Sequence, residues 1–286
     1  MKSAVFYRKL ERCDICPRTC GVNRLKGEKG VCGVSNRPIV SSWGPHFGEE
    51  RILVGSRGSG TVFFTFCNLK CVYCQNYEIS QLGVGREITI ERLAEIFVEL
   101  QNMGVENLNL VTPTHQVPFI VDALERIERK IPVVYNCGGY ESVETIEQLA
   151  GFVDIYMPDF KYSDPELGMK LSGVADYPQI AFEALKVMVK QTGEPVLKDG
   201  IMKKGVLVRH LILPGYIENS LGVIDLLSKI EPKPLVNIMA QFRPEYLARK
   251  YGLSRGITRE EYLKVIEYAQ KKNLNLIETE RWLRWL

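Results

Sequence analysis

Residues 67–76 read CNLKCVYCQN, which places Cys67, Cys71 and Cys74 within eight positions. Thiolates ligate soft or borderline metals, and four of them normally close a zinc or iron–sulfur site. Three on a four-iron cluster leave one iron free to bind and activate a substrate, which is a catalytic arrangement. A zinc ion completed by a distant His or by Cys137 would also use three thiolates. A second set, Cys13, Cys16, Cys20 and Cys32, is spaced C-x2-C-x3-C-x11-C. Four ligands are the number that closes a tetrahedral site and staples a coreless segment, so this head is read as binding zinc or a second [4Fe–4S] cluster.

Seven of the eight cysteines therefore fall in two groups, a pattern that suits metal chemistry in a reducing compartment better than disulfides. The chain has 286 residues, of which 45% are apolar, enough for one large core. Its 37 basic and 34 acidic residues give a net charge of +3, with no basic run that would grip nucleic acid. No apolar stretch reaches bilayer-spanning length. The expectation is a cytoplasmic protein with neither nucleic-acid nor membrane partners.

These cysteines need a scaffold, and the pattern supplies one. The apolar run TVFFTF at 61–66 predicts a buried strand ending at Cys67. Strands are then expected at 107–111, 133–137, 154–159, 206–213 and 235–242, separated by helices at about 89–103, 118–130, 142–150, 164–191 and 219–230. A last helix at 258–272 opens with the capping box Thr258 to Glu261. Six βα units imply a parallel sheet, which suits either a doubly wound sheet or an incomplete barrel; the chain is read as a partial TIM-like (β/α)6 barrel over 46–286 behind a small metal-bound head at 1–45. The head has almost nothing to bury, Pro38 to Gly60 reads as loop, and Glu49 and Glu50 read as a solvated acidic turn in preference to a loop that reaches with His46 over the barrel mouth. Polar residues collect where strands end, the side on which such folds place their sites. They are Thr112, Thr114 and His115 after the second strand, Asn136 on the third, and Asp159 and Lys161 on the fourth. Arg209 lies inside the fifth, where a charge needs a partner or a ligand. Gln241 and Arg243, on one alternate face after the sixth, suit an anionic substrate.

The spacing C-x3-C-x2-C directly after a strand, with Tyr73 before the last cysteine, resembles the radical S-adenosylmethionine (SAM) superfamily. GSGTVFF…CNLKCVYCQN, with its Cys74-Gln75-Asn76 ending, is similar to the glycyl-radical activating enzymes of the pyruvate formate-lyase activating type, here with an additional cysteine-rich head. The resemblance implies a [4Fe–4S] cluster on Cys67, Cys71 and Cys74, with SAM bound nearby. It places Tyr73, Asn76, Asn136, Asp159, Lys161 and Arg209 around SAM. Where the relatives hold the SAM amino group with a Gly-Gly-Glu-like stretch, this chain has TPTH, so Thr112, Thr114 and His115 stand as the contacts there. The implied activity is reductive SAM cleavage to a 5′-deoxyadenosyl radical for hydrogen abstraction, fed by a one-electron donor such as a flavodoxin or ferredoxin. The implied substrate is a glycyl-radical protein. Modification of a small molecule or peptide is the alternative, and a non-catalytic iron–sulfur or zinc redox carrier is a further one.

Overall fold

The computed structural model describes residues 2–286. Ten strands join one sheet: β1 (Ile39–His46), β2 (Ser59–Phe64), β3 (Arg86–Glu87), β4 (Leu108–Val111), β5 (Val133–Cys137), β6 (Ile155–Pro158), β7 (Val196–Lys198), β8 (Ile201–Leu211), β9 (Leu235–Met239) and β10 (Asn275–Ile277). From β2 the neighbours run β4, β5, β6, β8, β9 and β10, every pair parallel. At one edge β1 pairs antiparallel with β2, with β3 outside it, and β7 forms a hairpin with β8. Helices separate the parallel strands, so the expected partial TIM-like barrel forms, with β10 as a short seventh parallel strand.

Local chemistry fixes these elements. The helix Ile90–Asn102 starts where the Thr89 hydroxyl accepts the Arg92 N–H at 3.1 Å. It buries Leu93, Ile96, Phe97 and Leu100 on one face, each contributing about 1.5–3 kcal/mol. Strand β5, VVYNC, is buried along its whole length, as a strand covered on both faces must be.

Inside the sheet, Val134, Ile155, Met157 and Leu207 form an apolar plug with Leu53 and Met202. Side chains along a strand alternate faces, so the next inward position on each strand lies nearer its C-terminal end. There the character changes: Val134 is followed by Asn136, Met157 by Asp159, Leu207 by Arg209 and Leu235 by Asn237. Hydrocarbon seals the floor, and polar groups line the space above it.

Two expectations change. Pro38 to Gly60 is not a loop, because β1 occupies its first half and the short helix Arg51–Val54 drops Leu53 into the plug. Strand β1 also runs across position 45, where the head was expected to end. Nor is the head without apolar anchors: Phe6, Leu10, Ile15 and Val34 are each at most 1% exposed and join the apolar cluster of the barrel helices. These side chains dock the head rather than build a core of its own. Hydrogen bonds from Tyr7 to Asp122 and from the Thr145 hydroxyl to the Ile15 carbonyl fix that dock.

Candidate active site at the strand C-termini

Strand β2 delivers the three-cysteine loop through a strained residue, Phe66, at φ +69°. A bulky side chain in the left-handed region needs surrounding structure to hold it, and such positions gather at functional sites. Each thiol of the loop meets a polar group. The Leu69 N–H donates to Cys67 at 3.3 Å, the Ser172 hydroxyl to Cys71 at 2.9 Å, and the Ser80 hydroxyl lies 3.1 Å from Cys74. Because Ser172 spends its proton on Cys71, Tyr162 donates to Ser172 and Tyr73 donates to Tyr162, each at 2.7 Å. Burial pushes the Cys67 and Cys71 thiols up, so thiolates form here only when a cation compensates them.

Beside this loop lies a network of charges. Arg209 donates through Nε to Asp159 at 3.0 Å, through Nη1 to Glu49 at 3.2 Å and through Nη2 to Asn136 at 2.7 Å. Lys161 donates to the other Asp159 oxygen at 2.6 Å. Burial would raise the Asp159 carboxyl, but Lys161 and Arg209 outweigh it and hold the group below the usual carboxylate range. Burial would likewise lower Lys161, yet Asp159, with Cys71 next, holds its ammonium well above the ordinary lysine value. Burial raises the Glu49 carboxyl, with Arg209 pulling against it. Gly139, at φ +81°, lets the chain pass so close that a Cβ there would lie 2.1 Å from the Asp159 carbonyl oxygen.

A sequence profile of the radical SAM superfamily matches residues 61–219, and an uncharacterised protein of Methanocaldococcus jannaschii is 35% identical, covering 97% of this chain and 80% of its own length. The chain belongs to the radical SAM superfamily. A pyruvate formate-lyase-activating enzyme of Listeria monocytogenes is 22% identical, over 61% of this chain and 70% of its own. The pyruvate formate-lyase 1-activating enzyme of Escherichia coli K12 is 24% identical, over 57% and 65%. Among solved structures, methylornithine synthase is similar at a TM-score of 0.50 and 15% identity, covering 77% of this chain and 66% of that one. That likeness concerns the fold.

Membership makes this a radical SAM enzyme and implies a [4Fe–4S] cluster and SAM. The donor chemistry fits both: three thiols on one loop, each with a neighbouring polar group, and a charged and amide-bearing wall beside them. Asn136, Asp159, Lys161 and Arg209 come together as expected. Thr112 follows β4 at φ +59°, its N–H donating to the Asn136 carbonyl at 2.8 Å, so its backbone reaches the same rim. Thr114 and His115 do not join it. The 3-10 turn Thr114–Gln116 carries them away from it into other buried surroundings: Thr114 donates to Glu141 at 2.7 Å, and His115 lines a cavity in the cysteine-rich head. Tyr73 is buried against Phe242 with its hydroxyl spent on Tyr162, and Asn76 is exposed just after the loop. Sequence reasoning set aside Glu49, which is drawn onto Arg209, and Glu50, buried with Oε1 accepting from Asn237 at 2.9 Å, in favour of a solvated turn. It also missed Asn109 on β4, whose buried amide has no partner on either atom; its register neighbour Val134 belongs to the interior plug, so Asn109 faces the interior as well.

A pocket of about 660 Å³ opens from this rim along the seam where the barrel fails to close. His46 of β1 stands on one side, and Gln241, Arg243 and the tail residues Arg281, Trp282 and Arg284 on the other. Gln75, next to Cys74, donates to the Gln241 carbonyl at 3.1 Å and ties the cysteine loop to this wall. The Gln241 side-chain oxygen is buried without a partner.

Proposed function

We propose that the chain carries out reductive SAM cleavage at the strand C-termini, with Cys67, Cys71 and Cys74 as cluster ligands and Asn136, Asp159, Lys161 and Arg209 as the SAM-binding wall. The observation that carries this is the Asp159-centred network beside the three-cysteine loop. When bound, a reduced [4Fe–4S] cluster and SAM together supply a 5′-deoxyadenosyl radical that abstracts hydrogen from a substrate. The chain's own residues hold and orient. Lys161 and Arg209 present cations to a carboxylate, the Asn136 and Asp159 oxygens face amino and hydroxyl donors, and the apolar plug beneath excludes water. Dithionite-dependent formation of 5′-deoxyadenosine by the reconstituted protein tests the reading. Cys67→Ala, Cys71→Ala and Cys74→Ala are each expected to abolish it, and turnover unchanged in these variants would overturn the assignment. Saturable SAM binding by calorimetry separates the enzyme from a redox carrier, which would show none.

For the substrate, the likeness to pyruvate formate-lyase-activating enzymes and the Cys74-Gln75-Asn76 ending support activation of a glycyl-radical protein, with a flavodoxin or ferredoxin as electron donor. Anaerobic incubation with such a protein, SAM and reductant should give a glycyl doublet in electron paramagnetic resonance; its absence while SAM cleavage persists would sink this reading. The arginine-lined seam favours a second one, an anionic small molecule or peptide. In the head, Cys13, Cys16, Cys20 and Cys32 would hold either zinc or a second cluster.

A further inference from the structure

Cys13, Cys16, Cys20 and Cys32 line one enclosed cavity, and all four are free thiols. Short-range backbone bonds fold them toward it: the Cys13 N–H donates to the Val22 carbonyl at 2.9 Å, the Gly21 N–H to Cys13 at 3.0 Å and the Thr19 N–H to Cys16 at 3.0 Å. Gly30 leaves room for the fourth thiol, since a Cβ there would lie 2.8 Å from the Cys20 sulfur.

Two further residues of the wall each carry a buried nitrogen without a partner. Arg24 is 1% exposed, donates through Nε to the Ser35 carbonyl and lies 5.5 Å over the Phe119 ring. Its Nη1 is 4.0 Å from the Cys13 sulfur, Nη2 is unpartnered, and no carboxylate pairs with it among the described residues. His115 is equally buried. The Thr65 carbonyl can only accept, so the ring proton sits on Nε2, 2.8 Å away, and Nδ1 is left as a buried lone pair without a partner. A buried guanidinium demands counter-charge, and the groups at hand to supply it are these cysteines, as metal-bound thiolates.

Of the two occupants proposed for the head, we infer a second [4Fe–4S] cluster ligated by Cys13, Cys16, Cys20 and Cys32, with Arg24 supplying its counter-charge. A zinc ion would draw every sulfur to about 2.3 Å from one point. Among the described residues no three His, Cys, Asp or Glu side chains converge that way; these four instead share the wall of one cavity, and a cluster takes one ligand per iron and needs no common point. Complete cysteine ligation leaves no iron open for substrate, so the role is electron passage: one electron taken from a ferredoxin or flavodoxin and one handed on, with no bond changed. Arg18 links the two sites, reaching from the cavity wall to the Asn68 carbonyl at 2.9 Å, one residue from Cys67.

The test is metal and sulfide analysis of the anaerobically reconstituted full-length chain carrying Cys67→Ala, Cys71→Ala and Cys74→Ala together. About four irons and four sulfides per chain, with a paramagnetic signal after dithionite, are expected. About one zinc and no iron would overturn the cluster while leaving a metal-bound head, and neither metal would overturn both. SAM cleavage is not read, so failure of the strand-end assignment leaves this result intact. If the triple variant does not fold, the wild type decides by holding about eight irons rather than four with one zinc. In the triple variant, Arg24→Gln is further expected to lower the midpoint potential of the remaining signal, and an unmoved potential would overturn the role of Arg24.

Discussion

Asp159 bonds two cations at once, Lys161 through one oxygen and Arg209 through the other. Asp159→Asn keeps the shape but leaves both cations short of charge in a site only about one-fifth exposed. Breaking such a pair costs about 3 kcal/mol, so we expect a lower melting temperature and at least about tenfold weaker SAM binding by calorimetry. Glu141 provides a second prediction. Burial pushes its carboxyl up to about 7, with Thr114 and Tyr135 as hydrogen-bond donors pulling it partway back. The folded chain keeps this proton where the unfolded chain has released it. Its contribution is therefore complete below about 4.5, declines as pH rises toward 7 and is lost above that, a change of up to about 3 kcal/mol. Glu141→Gln stays neutral, so its melting temperature should gain on the wild type between pH 5 and pH 8; parallel curves would refute this. Asn136, Asp159, Lys161 and Arg209 were legible because strand alternation and strand-end position both follow from local sequence. Glu49 was not, since an acidic pair in a Gly-rich turn looks solvated until a partner 160 positions away is folded against it.

At the scale of elements, the Gly138-Gly139 turn after β5 brings that strand's end against the end of β6. The Tyr177 hydroxyl secures the junction, donating to the Asp159 carbonyl at 2.8 Å. Gly139→Ala would set a methyl 2.1 Å from that carbonyl in a left-handed residue, so β6 must shift and carry Asp159 with it. The expected result is a lower melting temperature together with weaker SAM binding; a variant that lost stability but bound SAM normally would show that the turn does not position Asp159. The six main strands were readable because each is a compact, largely apolar run too short for a helix. Strand β1 was not, because SSWGPH carries Gly, Pro and Ser and forms a strand through its antiparallel pairing with β2. Thr114 and His115 were misplaced for a similar reason: their position after β4 was legible, but the 3-10 turn that sends Thr114 to Glu141 and His115 to the head cavity is not written in TPTH.

Across the whole molecule, the open seam decides what can reach the strand ends. Its pocket of about 660 Å³ lies in the size range of small-molecule sites. Four arginines, Arg51, Arg243, Arg281 and Arg284, line it. Arg281 and Arg284 are paired with Glu278 and Glu280, whereas no ion pair engages Arg51 or Arg243 among the described residues. Two uncommitted guanidiniums beside the unpartnered Gln241 oxygen suit an anion carrying a hydrogen-bond donor. A glycine-bearing loop would need no such charge. Inorganic pyrophosphate probes the difference directly. If the seam takes an anionic substrate, calorimetry at low salt should show saturable pyrophosphate binding to the wild type. Replacing both Arg51→Gln and Arg243→Gln removes charge-assisted bonds worth about 1.5–3 kcal/mol each, so affinity should fall at least about tenfold while SAM binding persists. Absence of pyrophosphate binding to the wild type, alongside a glycyl doublet on a protein partner, would instead make the seam the entry for a protein loop.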